Sequence, residues 1–191
     1  GGGGARGAES RRDVVEAGAR TRGSKLAAGG RDRPEDGQPD PDWRRARLAH
    51  ALSLRSRLYD APYCRLVHAE ADGLPGVIID RFRDTCVIQP NAAWAERVLP
   101  DLVAALTDVT GATTVLKNAS GRGRALEGLD DLSLTVTGQA PDAPVPVQMN
   151  GATYMADLTG GQKTGLFYDQ RPNHAFAAQL AQGAPVLDMF S

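Results

Sequence analysis

The segment CRLVHAEADGLPGVIIDRFRDTCVIQ, residues 64–89, constrains the fold most. It holds an apolar run, a Gly/Pro turn at Asp72–Gly76, a second run at Val77–Phe82, a short turn and a third run at Cys86–Gln89. Each run is too short for a helix and is rich in β-branched residues, so the segment predicts a small antiparallel meander. Such a meander has two faces to cover, and the neighbouring sequence must supply the cover.

Helical spacing before it comes from Leu48, Ala51, Leu52, Leu58 and Tyr59, with Asp42 as the expected N-cap and an end near Asp60. Arg44, Arg45, Arg47, Arg55 and Arg57 fall on the other side, either as a solvated face or as phosphate contacts. After the meander, Ala92–Thr110 carries Trp94, Val98, Leu102, Ala105 and Leu106 on one face and reads as an amphipathic helix closed by Gly111. TTVLKN returns as a strand. Lys117, Arg122 and Arg124 then lie in or beside a Gly/Ser loop, which suits either a phosphate contact or ordinary solvation. A further strand is expected near Leu132–Thr137. The Pro-rich link Ala140–Pro146 is the expected module boundary, and Asn150-Gly151 between alternating apolar residues predicts a hairpin.

Composition sets the limits. Residues 1–41 hold ten of the 22 glycines and no aromatic residue, too little apolar surface to offset ordering entropy, so this segment is expected to be disordered. The whole chain, at 191 residues with 41% hydrophobic and 24% charged residues, resembles ordinary globular proteins, and no apolar run approaches the ~20 residues of a membrane span. A net charge of −1 makes no case for nucleic acid by itself. Cys64 and Cys86, far apart and in strand-like runs, suggest packing in a reducing cytoplasm, and His50, His68 and His174 have no metal-ligand spacing.

The stretch GGQKTGLFYDQRPN, from Gly160 to Asn173, is the richest in chemistry. It is not a nucleotide phosphate loop, because Gln162 stands where that loop needs the glycine before Lys-Thr. A glycine-flanked turn ahead of a helix can still approach a charged ligand. The residues alone equally allow Asp169 as a helix cap, Arg171 in an ion pair and Lys163 in solvent. The tail VLDMFS, after a helix running from about Asn173 to Ala181 and a turn at Gly183, reads as a buried strand just begun, where an open α/β sheet presents a ligand site.

RLVHAEADGLPGVIIDRF, GQKTGLFYDQRPN and VLDMFS, in this order and at about this spacing, resemble the class I S-adenosylmethionine-dependent methyltransferases that act on cytosine C5 of large-subunit (23S) ribosomal RNA. The likeness runs from about Asp42 to Ser191. It implies a mixed α/β fold: an RNA-holding accessory module over 42–145, then at 146–191 the start of a Rossmann-like, doubly wound methyltransferase domain. Family members normally begin with a small RNA-binding barrel, which residues 1–41 do not match. By the resemblance, Phe167, Asp169, Gln170, Arg171, Asp188, Phe190 and Ser191 bind the cofactor S-adenosylmethionine. Lys163, Thr164, Lys117, Arg122 and Arg124 face RNA, and Phe167 and Tyr168 stay open as plain core.

Such enzymes are expected to add a thiolate to cytosine C6 so that C5 can accept the methyl group. Neither Cys64 nor Cys86 matches that nucleophile, whose region is expected beyond residue 191. The chain is thus read as a truncated, inactive piece that does not bind the methyl donor. Ribosomal RNA is the expected partner, with no membrane and no metal, and a homodimer stays open. A non-catalytic RNA-binding module and an assembly scaffold are the rival readings.

Overall fold

The computed structural model describes residues 18–19, 28–29, 40–160, 165–187 and 189. In the first forty residues, Gly18–Ala19 (β1) pairs antiparallel with Ala28–Gly29 (β2); apart from these and Asp40 and Pro41, which open the first helix, the segment expected to be disordered lies outside the described residues.

Helix α1 spans Pro41–Leu58. Its cap is Asp40, not Asp42: the Asp40 carboxylate accepts the Asp42 N–H at 3.1 Å, and Pro41 occupies the first position, where a missing N–H costs nothing. The predicted meander follows as Tyr63–His68 (β3), Val77–Phe82 (β4) and Thr85–Pro90 (β5). Both junctions are antiparallel, with Arg65 opposite Asp80 and Asp80 opposite Val87.

The single helix expected over Ala92–Thr110 is two: Ala93–Arg97 (α2) and Leu99–Thr110 (α3). Pro100 explains the break. It has no N–H to continue the ladder and its ring crowds the preceding turn, so the chain leaves helical geometry at Val98 (φ −103°, ψ 17°) and restarts. Gly111, at φ 69°, closes α3 as expected. The helices carry the chain across the sheet, so Thr114–Lys117 (β6) joins β5 in parallel. Arg122–Leu126 (α4) and Leu134–Thr137 (β7) complete a mixed five-stranded sheet in the order β3-β4-β5-β6-β7.

Alternation along the strands gives the sheet two buried faces. On one, Leu66, Ile79, Cys86, Ile88 and Val115 pack under α1, α2 and α3 with Leu48, Trp94 and Leu102. On the other, Tyr63, Phe82, Val87 and Leu116 meet Val147, Met149, Ala156 and Tyr168. Val147 and Met149 belong to Val145–Met149 (β8), which forms the predicted hairpin with Ala152–Ala156 (β9). Asn150 (φ 55°) and Gly151 (φ 73°) both take the left-handed geometry of the tight turn that suits strand twist.

The last helix, Arg171–Ala181 (α5), starts two residues before its expected position, directly after a 3-10 turn at Tyr168–Gln170. The strand expected at Val186–Phe190 is not formed among the described residues. Val186 and Leu187 are exposed in irregular backbone, because no described strand lies beside them to share a ladder.

Candidate functional site

The motif segment is fixed to the sheet by its own residues. At its upstream end, the Asp157 carboxylate accepts the N–H groups of Thr159 (3.1 Å) and Gly160 (2.8 Å), an Asx-type turn. At Gly165 the chain returns over the same residue. A Cβ there would lie 2.5 Å from the Asp157 carbonyl oxygen, and φ is +94°, so only glycine fits. Tyr168, 5% exposed, plugs the hairpin-side core: its ring lies 5.2 Å from that of Phe82 and its hydroxyl donates to the Arg81 carbonyl at 2.8 Å. Tyr168 is therefore core, and Phe167 is only partly covered.

With Tyr168 as the anchor, Asp169 and Gln170 are exposed, and the Gln170 side-chain carbonyl accepts from Asn173 at 2.9 Å. Asp169 stands within electrostatic reach of Arg65, which grips the fully buried Asp80 through two bonds of 2.9 and 3.1 Å. Burial opposes the Arg65 charge, but the Asp80 bond and the charges of Asp80 and Asp169 outweigh it and raise its pKa. Arg171 turns the other way. Its guanidinium covers the ring of Tyr59 at the end of α1, 4.3 Å from the centroid, and Nη1 is buried with no hydrogen-bond partner among the described residues. Five residues assigned to the site, Lys163, Thr164, Asp188, Phe190 and Ser191, lie outside the described residues.

The basic loop residues divide. Lys117 and Arg124 are not at the surface but buried, at 4% and 1% exposure. Lys117 Nζ bonds Glu96, and Arg124 donates to Glu96 (2.8 Å), to the Pro90 carbonyl (2.6 Å) and to Asp130 (3.2 Å). The N–H of Leu132, with Lys117 and Arg124, holds the Asp130 carboxyl below the usual range. These two cations therefore stitch α2 to the loop after β6, and Arg122 alone of the three is exposed. The arginines of α1 follow the same logic: Arg44 pairs with Asp101, Arg45 with Asp108 and Arg55 with both oxygens of Asp72. Arg44 and Arg55 are thus structural ion pairs and Arg47 lies over the Trp43 ring, while Arg45 and Arg57 stay exposed on the solvated face.

Neither thiol is prepared for nucleophilic work. Burial pushes Cys64 up to about 11, against the pull of Arg55, Arg81 and Arg171, and pushes Cys86 up to about 12. Sequence reasoning missed Arg65, Asp80 and Glu96. The visible signal was a charge inside each apolar run: Arg65 and Asp80 interrupt neighbouring strands and end up directly opposite each other.

No family model matches the chain. A curated relative from Alteromonas mediterranea, ribosomal RNA large subunit methyltransferase I, is 37% identical over 148 residues, covering 76% of this chain and 37% of the relative. The protein of that name from Shewanella amazonensis is 33% identical over 154 residues, covering 79% of this chain and 39% of the relative. The chain thus spans well under half the length of these curated relatives. Among solved structures, "a putative sam-dependent methyltransferase from Streptococcus mutans" superposes with a TM-score of 0.63 at 20% identity, over 77% of this chain and 37% of that one. A second, "a putative methyltransferase complexed with SAH", gives 0.63 at 18% identity over 80% of this chain and 39% of that one. The solved structures share the fold, and the curated relatives support the family of large-subunit ribosomal RNA methyltransferases for this chain.

Proposed function

We propose that this chain supplies the RNA-holding module and the entrance of the donor pocket of an enzyme that moves a methyl group from S-adenosylmethionine to C5 of a cytosine in large-subunit ribosomal RNA. The observation that carries the reading is the 37% identity over 148 residues to ribosomal RNA large subunit methyltransferase I. It is supported by the motif turn, in which buried Tyr168 holds exposed Asp169 and Gln170 at a fixed place beside the sheet.

The residues present suit such a cofactor. Its sulfonium supplies an electrophilic methyl group; its amino-acid and ribose ends need hydrogen-bond acceptors and donors. Asp169 offers an exposed carboxylate to an ammonium or hydroxyl group, Gln170 an amide, and the half-covered Phe167 an apolar surface. Arg171 has its guanidinium over Tyr59, so in this reading it anchors the segment to α1. Lys163, Thr164, Asp188, Phe190 and Ser191 complete the proposed site, with Lys163, Thr164 and Arg122 toward RNA. The attacking thiolate is not drawn from Cys64 or Cys86, whose burial keeps them protonated.

Deleting the gene that encodes this chain should remove one 5-methylcytidine from large-subunit ribosomal RNA, read by mass spectrometry of nuclease digests. An unchanged digest refutes the reading. Loss of a methyl group from another base would keep methyl transfer and refute the choice of C5.

A further inference from the structure

A charged pair interrupts the apolar face on which the hairpin and Tyr168 pack. Across the sheet, Arg65 stands opposite Asp80, Asp80 opposite Val87 and Val87 opposite Leu116. Asp80 is fully buried and accepts from Arg65 Nε at 2.9 Å and from Nη2 at 3.1 Å. Well-packed apolar residues of similar volume are often as stable as a buried ion pair, so packing alone does not call for this one. Its surroundings supply a reason. Strand β3 is an edge strand, and the 3-10 turn Tyr168–Gln170 rests on it. Burial first, and then the Asp80 charge, keep the Tyr168 hydroxyl protonated, so the anchor of the turn and the buried carboxylate are neighbours. The Arg65 side chain is 21% exposed, and Asp169 of the same turn is among the charges that act on it. Because Nε and Nη2 face Asp80, the rigid fork turns Nη1 away from it, and Nη1 donates to no described residue. Arg171, the cation of the motif itself, has its guanidinium over Tyr59 instead.

A carboxylate on an exposed turn swings freely unless a neighbour restrains it, and a site loose by about 1 Å works poorly. We propose that Arg65 is a positioning residue of the donor site: Asp80 locks its guanidinium, and its charge holds the Asp169 carboxylate where the amino-acid or ribose end of the methyl donor meets it. No bond joins Arg65 to Asp169 among the described residues, so the hold acts through space. It is modest, about threefold in affinity for a partly exposed pair. The inference rests on the donor reading and deepens it, by adding a residue of the accessory sheet to a site drawn from the motif and the tail.

The test uses the protein as its gene encodes it, with S-adenosylhomocysteine in calorimetry as the probe and the KM values for donor and RNA as the second readout. Arg65→Lys keeps a cation for Asp80, and so the fold, but replaces the fork by a point charge. It should weaken S-adenosylhomocysteine about threefold and raise the donor KM by about the same factor, with kcat and the RNA KM constant. In an Asp169→Asn background the same change should have no further effect, because Arg65 acts through Asp169. Arg65→Gln combined with Asp80→Asn, a neutral hydrogen-bonded pair in the same place, should lose the same factor and guards against misfolding of the first variant. An Arg65→Lys protein that binds like the parent overturns the proposal and leaves the donor reading standing. A loss that persists in the Asp169→Asn background, or that appears equally in the RNA KM, makes Arg65 purely structural and also overturns it. A parent protein that ignores S-adenosylhomocysteine refutes the donor reading, and the inference falls with it.

Discussion

At the scale of single residues, function and packing compete for the same few side chains. Gly165 has no freedom to change: Gly165→Ala puts a methyl group against the Asp157 carbonyl at positive φ, and should cost about 1–3 kcal/mol, measured by urea denaturation. Tyr168→Phe keeps the ring contact with Phe82 but removes the bond to the Arg81 carbonyl, a loss of about 1 kcal/mol. The cysteines make a pH prediction whose sign is fixed by burial. Their folded values lie above the ordinary thiol value, so above pH 9 the unfolded chain releases protons that the folded chain keeps. The thiols' contribution to stability should therefore be constant below pH 9 and fall as pH rises toward 11–12, as denaturation midpoints on the alkaline side will show. At pH 8 a thiol reagent should label neither cysteine until the protein unfolds.

At the scale of elements, the sequence was most legible where one local rule decides. The meander, the Asn150-Gly151 turn and the Gly111 cap follow from alternation and from positive φ. It was least legible where distant residues decide. Nothing near Arg124 in sequence announces Glu96, on a helix that packs back across the sheet, so a loop arginine and a buried structural arginine looked alike. The same holds for Arg44 and Asp101, which meet across 57 residues. Pro100 was readable in principle, but the apolar face of Ala92–Thr110 continues through it and hid the break. Of the candidate site, the fixed turn was visible as glycines around a Lys-Thr pair, while the direction of Arg171 depends on Tyr59, more than a hundred residues earlier. Arg124→Met, which deprives Glu96 and the Pro90 carbonyl of a buried partner, should destabilise the chain by about 3 kcal/mol. An Arg122→Met change should cost under about 0.5 kcal/mol.

At the scale of the whole molecule, one sheet serves two cores, with three helices on one face and a hairpin and Tyr168 on the other. Met149→Ala removes a buried side chain on the hairpin face and should cost about 2–5 kcal/mol. Because the strands are common to both faces, the loss should appear equally in the fluorescence of Trp94, which packs on the helical face with its indole N–H on the Pro75 carbonyl. A Trp94 transition that ignores Met149→Ala would make the hairpin an independent unit and put a real module boundary at the link before Val145.

Asp157 has one more implication. Its carboxylate fastens the chain at Thr159 and Gly160, and its carbonyl rests against Gly165. Both ends of the intervening stretch, which carries Lys163 and Thr164, are thus tied to a single post. A guest arriving there meets a tether whose circumference is already set, so bringing the two knots together adds no further cost to binding.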